Sequence, residues 1–102
     1  MITANASYTL QDGSKVFFDG LDIICTPTVH DASELVRIQV DVLVDAGTVV
    51  GSIVLEATYA EVDAFTGSGT TDVERFFNQC EQLVDDHLSN LTDNAGVTFS
   101  IV

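Results

Sequence analysis

A chain of 102 residues with 46% hydrophobic side chains suits one domain around one core, burying roughly 60 to 70% of its unfolded surface. Sixteen acidic residues face only Lys15, Arg37 and Arg75, and the net charge of -13 repels nucleic-acid phosphates and anionic lipid headgroups alike, so neither is expected as a partner. No basic start leads into an apolar run and no apolar stretch approaches about 20 residues, so neither a secretory signal nor a membrane span is expected.

In chain order, residues 3–10 alternate Ala4, Ala6, Tyr8 and Leu10 with Asn5, Ser7 and Thr9, the period of a half-buried strand. Asp12-Gly13 supplies the positive-φ pair of a tight hairpin, with Lys15-Val16-Phe17-Phe18 as the return strand. Asp19-Gly20 turns the chain into a third run, "LDIICTPTVH". Pro27 cannot donate a ladder hydrogen bond, so this run is expected at a sheet edge or interrupted there. In "LVRIQVDVLVD", Val36, Ile38, Val40, Val42 and Val44 share one face, and Arg37, Gln39, Asp41 and Asp45 the other, with Leu43 the apolar exception. A turn at "DAGT" leads to a partner strand whose apolar face runs through Val49, Ile53, Leu55, Ala57 and Tyr59, with Gly51 marking a bulge.

The period then changes. Val73, Phe76, Phe77, Cys80, Leu83, Val84, Leu88 and Leu91 recur at three- and four-residue spacing, predicting an amphipathic helix over residues 71–91. Thr71-Asp72-Val73-Glu74 reads as its capping box, Gly67-Ser68-Gly69 as a flexible hinge before it, and Asp93-Asn94-Ala95-Gly96 as a turn after it. The final "VTFSIV" sets Val97, Phe99 and Ile101 on one face and must pair with something, its own sheet or another chain's. Laying one helix across one face of the strands predicts an α+β fold: a mostly antiparallel sheet of about five or six strands, order roughly βββββαβ.

Sites of chemistry are weak. His30-Asp31 with Glu34 lies where a turn is expected, and Asp85-Asp86-His87 are helix neighbours about 100° apart, so neither converges on a metal. "GSGTTD" lacks the lysine of a phosphate loop, and no nucleophile–base spacing stands out. No catalytic residue, metal or cofactor is expected, nor a small-molecule substrate. Cys25 and Cys80 do not make a disulfide framework and read as two buried thiols. Asn5-Ala6-Ser7 and Asn90-Leu91-Thr92 match the glycosylation sequon, a coincidence in a chain without a secretory signal.

Eleven of the acids are Asp and one residue is Lys, a bias that resembles the surfaces of halophilic or marine proteins and suits screening salt or a cationic partner. Asp41 and Glu56 on one outer sheet face would repel unless Arg37 or a cation intervenes. Leu43, Val50 and Val54 would leave an apolar patch on that face, and Val97, Phe99 and Ile101 a strand able to augment another sheet. These six are the expected interface residues of a non-enzymatic assembly protein with protein partners, a homo-oligomer or larger assembly. Its general character resembles a minor virion component of a tailed virus, a head-decoration, neck or tail protein; otherwise a soluble, cytoplasmic location is expected. The alternative is an acidic nucleic-acid mimic that fills a basic groove on a partner enzyme, carried by Asp41, Asp45, Glu56, Glu61 and Asp63.

Overall fold

The computed structural model describes residues 1–11, 22–44 and 47–102. The expected turns at Asp12-Gly13 and Asp19-Gly20, the return strand between them, and Asp45 lie outside the described residues. Five strands form one antiparallel sheet: β1 (Ile2–Ala4), β2 (Asp22–His30), β3 (Leu35–Val44), β4 (Thr48–Thr58) and β5 (Phe99–Ile101). A short helix α1 (Tyr59–Asp63) and the main helix α2 (Asp72–Ser89) come between β4 and β5. The spatial order is β4-β3-β2-β1-β5. This is the small α+β fold that the two periodicities predict, and the terminal strand pairs with β1, Ile2 opposite Ile101 and Ala4 opposite Phe99.

The alternation of β3 sets the layers. Its β-branched residues suit an extended backbone, and Val36, Ile38, Val40 and Val42 are fully buried while Arg37 and Gln39 on the other face are exposed. Register continues this division into β2, where Ile23 and Cys25 oppose Val42 and Val40, and into β4, where Ile53, Leu55 and Ala57 oppose Val40, Ile38 and Val36. Cys80, Val84 and Leu88 bring the buried stripe of α2 into the same core. Burying each such side chain contributes about 1.5 to 3 kcal/mol.

Several local expectations change. Residues 3–10 do not form one strand: β1 stops at Ala4, where the Asn5 N–H donates to Thr98 O at 3.1 Å and Thr98 N–H donates to Asn5 Oδ1 at 2.9 Å. Thr9, placed on a polar face by alternation, is buried beside Tyr8 and Leu10. The reason is Asn94, also buried, whose Oδ1 accepts from Thr9 N–H at 2.8 Å and whose Nδ2 donates to Thr9 O at 2.8 Å and Leu88 O at 3.0 Å. This one side chain takes the place of a strand partner for residue 9 and also caps a carbonyl of the last turn of α2.

Pro27 neither ends β2 nor puts it at the edge of the sheet order. β2 pairs with β3 along its whole length, Pro27 opposite Ile38, whereas β1 meets it only at Ile23. Among the described residues the Pro27 half of β2 therefore has a neighbour strand on one side, which is where a residue without an N–H is tolerated. In β4 the bulge falls at Val50: Val42 opposes Gly51 and Leu43 opposes Val49, leaving Val50 unpaired beside the glycine. Tyr59 leaves the strand and opens α1, because Thr58 and Glu61 form a complete capping box there.

The two thiols are free and buried. Burial first, then the nearby Glu81 carboxylate, pushes Cys25 up to about 12 and Cys80 up to about 11. Glu81 itself is buried in α2 and accepts from the Met1 ammonium.

Two expected outcomes follow from this packing. Asn94→Ala removes three buried hydrogen bonds, and since each buried group left unpaired costs about 1 to 3 kcal/mol, urea unfolding should register a loss of at least about 3 kcal/mol. The thiols ionise less readily in the folded than in the unfolded chain, so their stabilisation is complete below the ordinary thiol value of 9.0 and is lost as pH rises toward 11 and 12. Urea midpoints should therefore fall above about pH 9, by up to about 1.4 kcal/mol per pH unit per thiol, and a thiol dye should label neither cysteine at neutral pH until the chain unfolds.

Candidate functional site

Among the described residues, one side of β4 pairs with β3 and the other with no strand. It is eleven residues long and contains neither Pro nor Lys, the residues that commonly blunt an exposed edge; its protection is the Val50 bulge at one end and Glu56 near the other. On the outer sheet face Val49 stands opposite Leu43 and Val54 opposite Gln39. Val49 is 51% exposed and Val54 59%.

The polar outer face is internally matched. Register sets Arg37 against Glu56, and Arg37 Nε donates to Glu56 Oε1 at 3.1 Å, while Asp41 stands four positions along β3 opposite Ser52, so the expected repulsion between Asp41 and Glu56 does not arise. Asp41 accepts from Ser52 Oγ at 2.8 Å and from Gln39 Nε2 at 3.1 Å.

Beside the far half of β4 lies an open groove of about 650 Å³. Leu55, Glu56 and Ala57 all line it. Successive strand residues point to opposite faces, so Leu55 and Ala57 turn toward the inner face while Glu56 between them bonds Arg37 on the outer one. The groove's opposite wall is built by α1, the segment after it, and α2. Ala64 and Phe65 come from the end of α1, Leu83 and Leu91 from α2 and its continuation, and Glu61, Asp86 and His87 stand among them.

This wall is held by side-chain amides. Gln79 Nε2 donates to Phe65 O at 2.8 Å, Gln82 Nε2 to Thr66 O at 2.7 Å, and Ser68 N–H to Asn78 Oδ1 at 3.0 Å. Gly67 and Gly69, expected as a flexible hinge, are close-packed. A Cβ on Gly67 would lie 2.2 Å from Arg75 O, and Gly69 has φ +142°, with any Cβ 2.6 Å from that of Glu74. Thr71 caps α2, accepting from Glu74 N–H at 3.1 Å, but Glu74 reaches back to Thr70, taking its N–H at 2.9 Å, rather than to the cap residue itself. Those donors hold the Glu74 carboxyl below its ordinary value.

The six expected interface residues separate. Leu43, Val50 and Val54 are on β3 and β4, while Val97, Phe99 and Ile101 lie in and before β5 at the opposite edge of the sheet. Phe99 is only 8% exposed and stacks edge-on against Tyr8, ring centroids 5.3 Å apart; Val97 and Ile101 also pack on the core. His30 ends β2, Asp31 accepts from Tyr59 OH at 2.5 Å, and Glu34 turns away with φ +52°. Asp85 is tied to Ser89 at 3.3 Å, its carboxyl raised by burial, while Asp86 and His87 face the groove. Among the described residues no three His, Cys, Asp or Glu side chains gather as a metal site would require, and no helix is long and apolar enough to cross a membrane.

Sequence reasoning missed the groove. Thr58-Tyr59-Ala60-Glu61 was the signal, the same Thr-x-x-Glu pattern as at Thr71, announcing a second helix that turns the chain away from the strand edge.

Gly67→Ala should force the linker off the first turn of α2 and lower the melting midpoint, a loss of about 1 to 3 kcal/mol as for other overpacked sites. Ser68→Ala, whose side chain is exposed, should stay within about 0.5 kcal/mol of the parent. Comparison with family models, curated proteins and solved structures finds no match to this chain.

Proposed function

We propose that this chain is a non-enzymatic assembly protein that joins a larger structure by adding the open edge of β4 to a neighbouring chain, with the exposed valines beside it as the apolar contact. The observation that carries the reading is β4 itself, eleven residues with an unpaired edge among the described residues and Val49 and Val54 more than half exposed. Unpaired backbone groups on such an edge are a template for another strand, and edge addition supplies main-chain hydrogen bonds that do not depend on the partner's exact sequence. Two copies meeting edge to edge through β4 would form a two-fold symmetric contact.

The charge of -13 opposes that contact at low ionic strength and yields to it as salt screens the carboxylates. A surface that assembles only when neutralised or screened suits a minor virion component of a tailed virus, at the head, neck or tail, where many copies lie side by side. The alternative reading, an acidic mimic of nucleic acid, draws less support from the geometry. Asp41 is bonded to Ser52 and Gln39, Glu56 is paired with Arg37, and Glu61 caps α1, so these carboxylates serve local partners instead of forming one free row.

Light scattering at low and at physiological salt tests the reading. Mass should rise above that of a monomer with protein concentration and with salt, and Val49→Asp with Val54→Asp, which put charges of the chain's own sign beside the edge, should weaken association at least about tenfold. A strict monomer at millimolar concentration in physiological salt would overturn self-assembly.

A further inference from the structure

The groove beside Leu55, Glu56 and Ala57 specifies more than an open edge does. Resting on the reading that β4 docks partners through its edge, we infer that this end of β4 receives an extended segment of a partner protein whose sequence alternates apolar and cationic residues.

The geometry sets the alternation. A strand added to β4 would send every second side chain to the inner face, where Leu55 and Ala57 already point, and into the groove against Phe65, Leu83 and Leu91. Those positions want apolar side chains of moderate size. The intervening side chains emerge on the outer face beside Glu56, and the ends of the segment pass the rim. There Glu61 and exposed Asp86 stand, with His87 next to them. Glu56 and Glu61 each bond a local donor through Oε1. Lysine or arginine in the segment would add to those contacts, whereas acidic residues would meet a rim of their own sign on a chain of charge -13. A second copy of this chain is disfavoured as the occupant for that reason: it carries three Lys and Arg residues in all.

The arrangement also separates two parts of β4. The half toward the Val50 bulge has the exposed valines, of which Val54 borders a separate outer-face hollow of about 280 Å³ with Arg37 and Gln39, while the Leu55–Ala57 half has the inner groove and the acidic rim. Variants at the two halves therefore report on different contacts.

The test uses the full chain and three labelled octapeptides followed by fluorescence anisotropy: alternating Lys and Val, alternating Glu and Val, and alternating Lys and Ser. The Lys/Val peptide should bind and weaken with added salt, and the other two should bind at least about tenfold more weakly. Asp86→Lys and Ala64→Arg, both at exposed positions on the groove wall, should each weaken Lys/Val binding by on the order of tenfold, with the melting midpoint held within a few degrees as a check on folding. Equal binding of the Lys/Ser peptide would show attraction by net charge alone and overturn the inference. So would Lys/Val binding that Asp86→Lys and Ala64→Arg leave unchanged. Loss of peptide binding with self-association through β4 intact removes the cationic partner and leaves the proposed function standing; a monomer that still binds the Lys/Val peptide in an Asp86-dependent way supports the partner and removes the homo-oligomer. If Ala64→Arg abolishes self-association while no peptide binds, the groove holds a second copy and the inference falls.

Discussion

The inner face of β3 must be sealed, and most of the structure follows from that requirement. Val36, Ile38, Val40 and Val42 have no exposed surface, and a strand with so continuous an apolar face cannot stand in water on both sides. β2 and β4 extend the face sideways, and α2 lays Cys80, Val84 and Leu88 over it. The opposite face stays wet, with Arg37 paired to Glu56 and Asp41 accepting a hydrogen bond from Ser52. A sheet covered on one face by a single helix has two edges to dispose of, and the chain treats them differently. At one, short β5 closes against β1; at the other, long β4 has no further strand beside it among the described residues.

That asymmetry is what the proposed docking at β4 rests on. The edge at β5 is drawn into the core through Phe99 and Tyr8, whose edge-on packing ties the strand to the interior. The edge at β4 is flanked by valines on the outer face and by a groove on the inner side, because α1 diverts the chain at Thr58 before it can fold back over the strand. In the proposed assembly the acidic surface would take the part that Pro or Lys residues play in other sheets, since like charges oppose the approach of a second copy at low ionic strength.

The groove's wall depends on contacts that carry no hydrophobic signal. Gly67 sits against the Arg75 carbonyl where no side chain fits, and Gln79 and Gln82 hold the carbonyls of Phe65 and Thr66. At the other end of α2, Asn94 bonds both Leu88, six residues before it, and Thr9, 85 residues away in the chain. The buried Asn94 amide specifies a single arrangement, since leaving any one of its bonds unmade costs more than the bond contributes when made.

Periodicity alone determined the layers. The two-residue repeat of β3 and β4 and the three- and four-residue repeat of α2 identified the sheet, the buried face of β3, the bulge region near Gly51 and the covering helix, because burial of one face is a local property of spacing; Val49, counted with the core face of β4, instead lies outward because the bulge at Val50 shifts the register. The shared outer face of Arg37, Asp41 and Glu56 was also legible, but register decided the partners, setting Arg37 against Glu56 and Asp41 against Ser52. What only the tertiary structure decided was everything set by neighbours distant in sequence. Thr9 is buried because Asn94 reaches it, Pro27 is tolerated mid-strand because β1 is too short to need its missing N–H, and Gly67-Ser68-Gly69 is packed because α2 passes close by. The separation of Leu43, Val50 and Val54 from Val97, Phe99 and Ile101 is of the same kind: spacing assigns a residue to a face, but strand order assigns it to an edge, and strand order arises from contacts that no local pattern encodes.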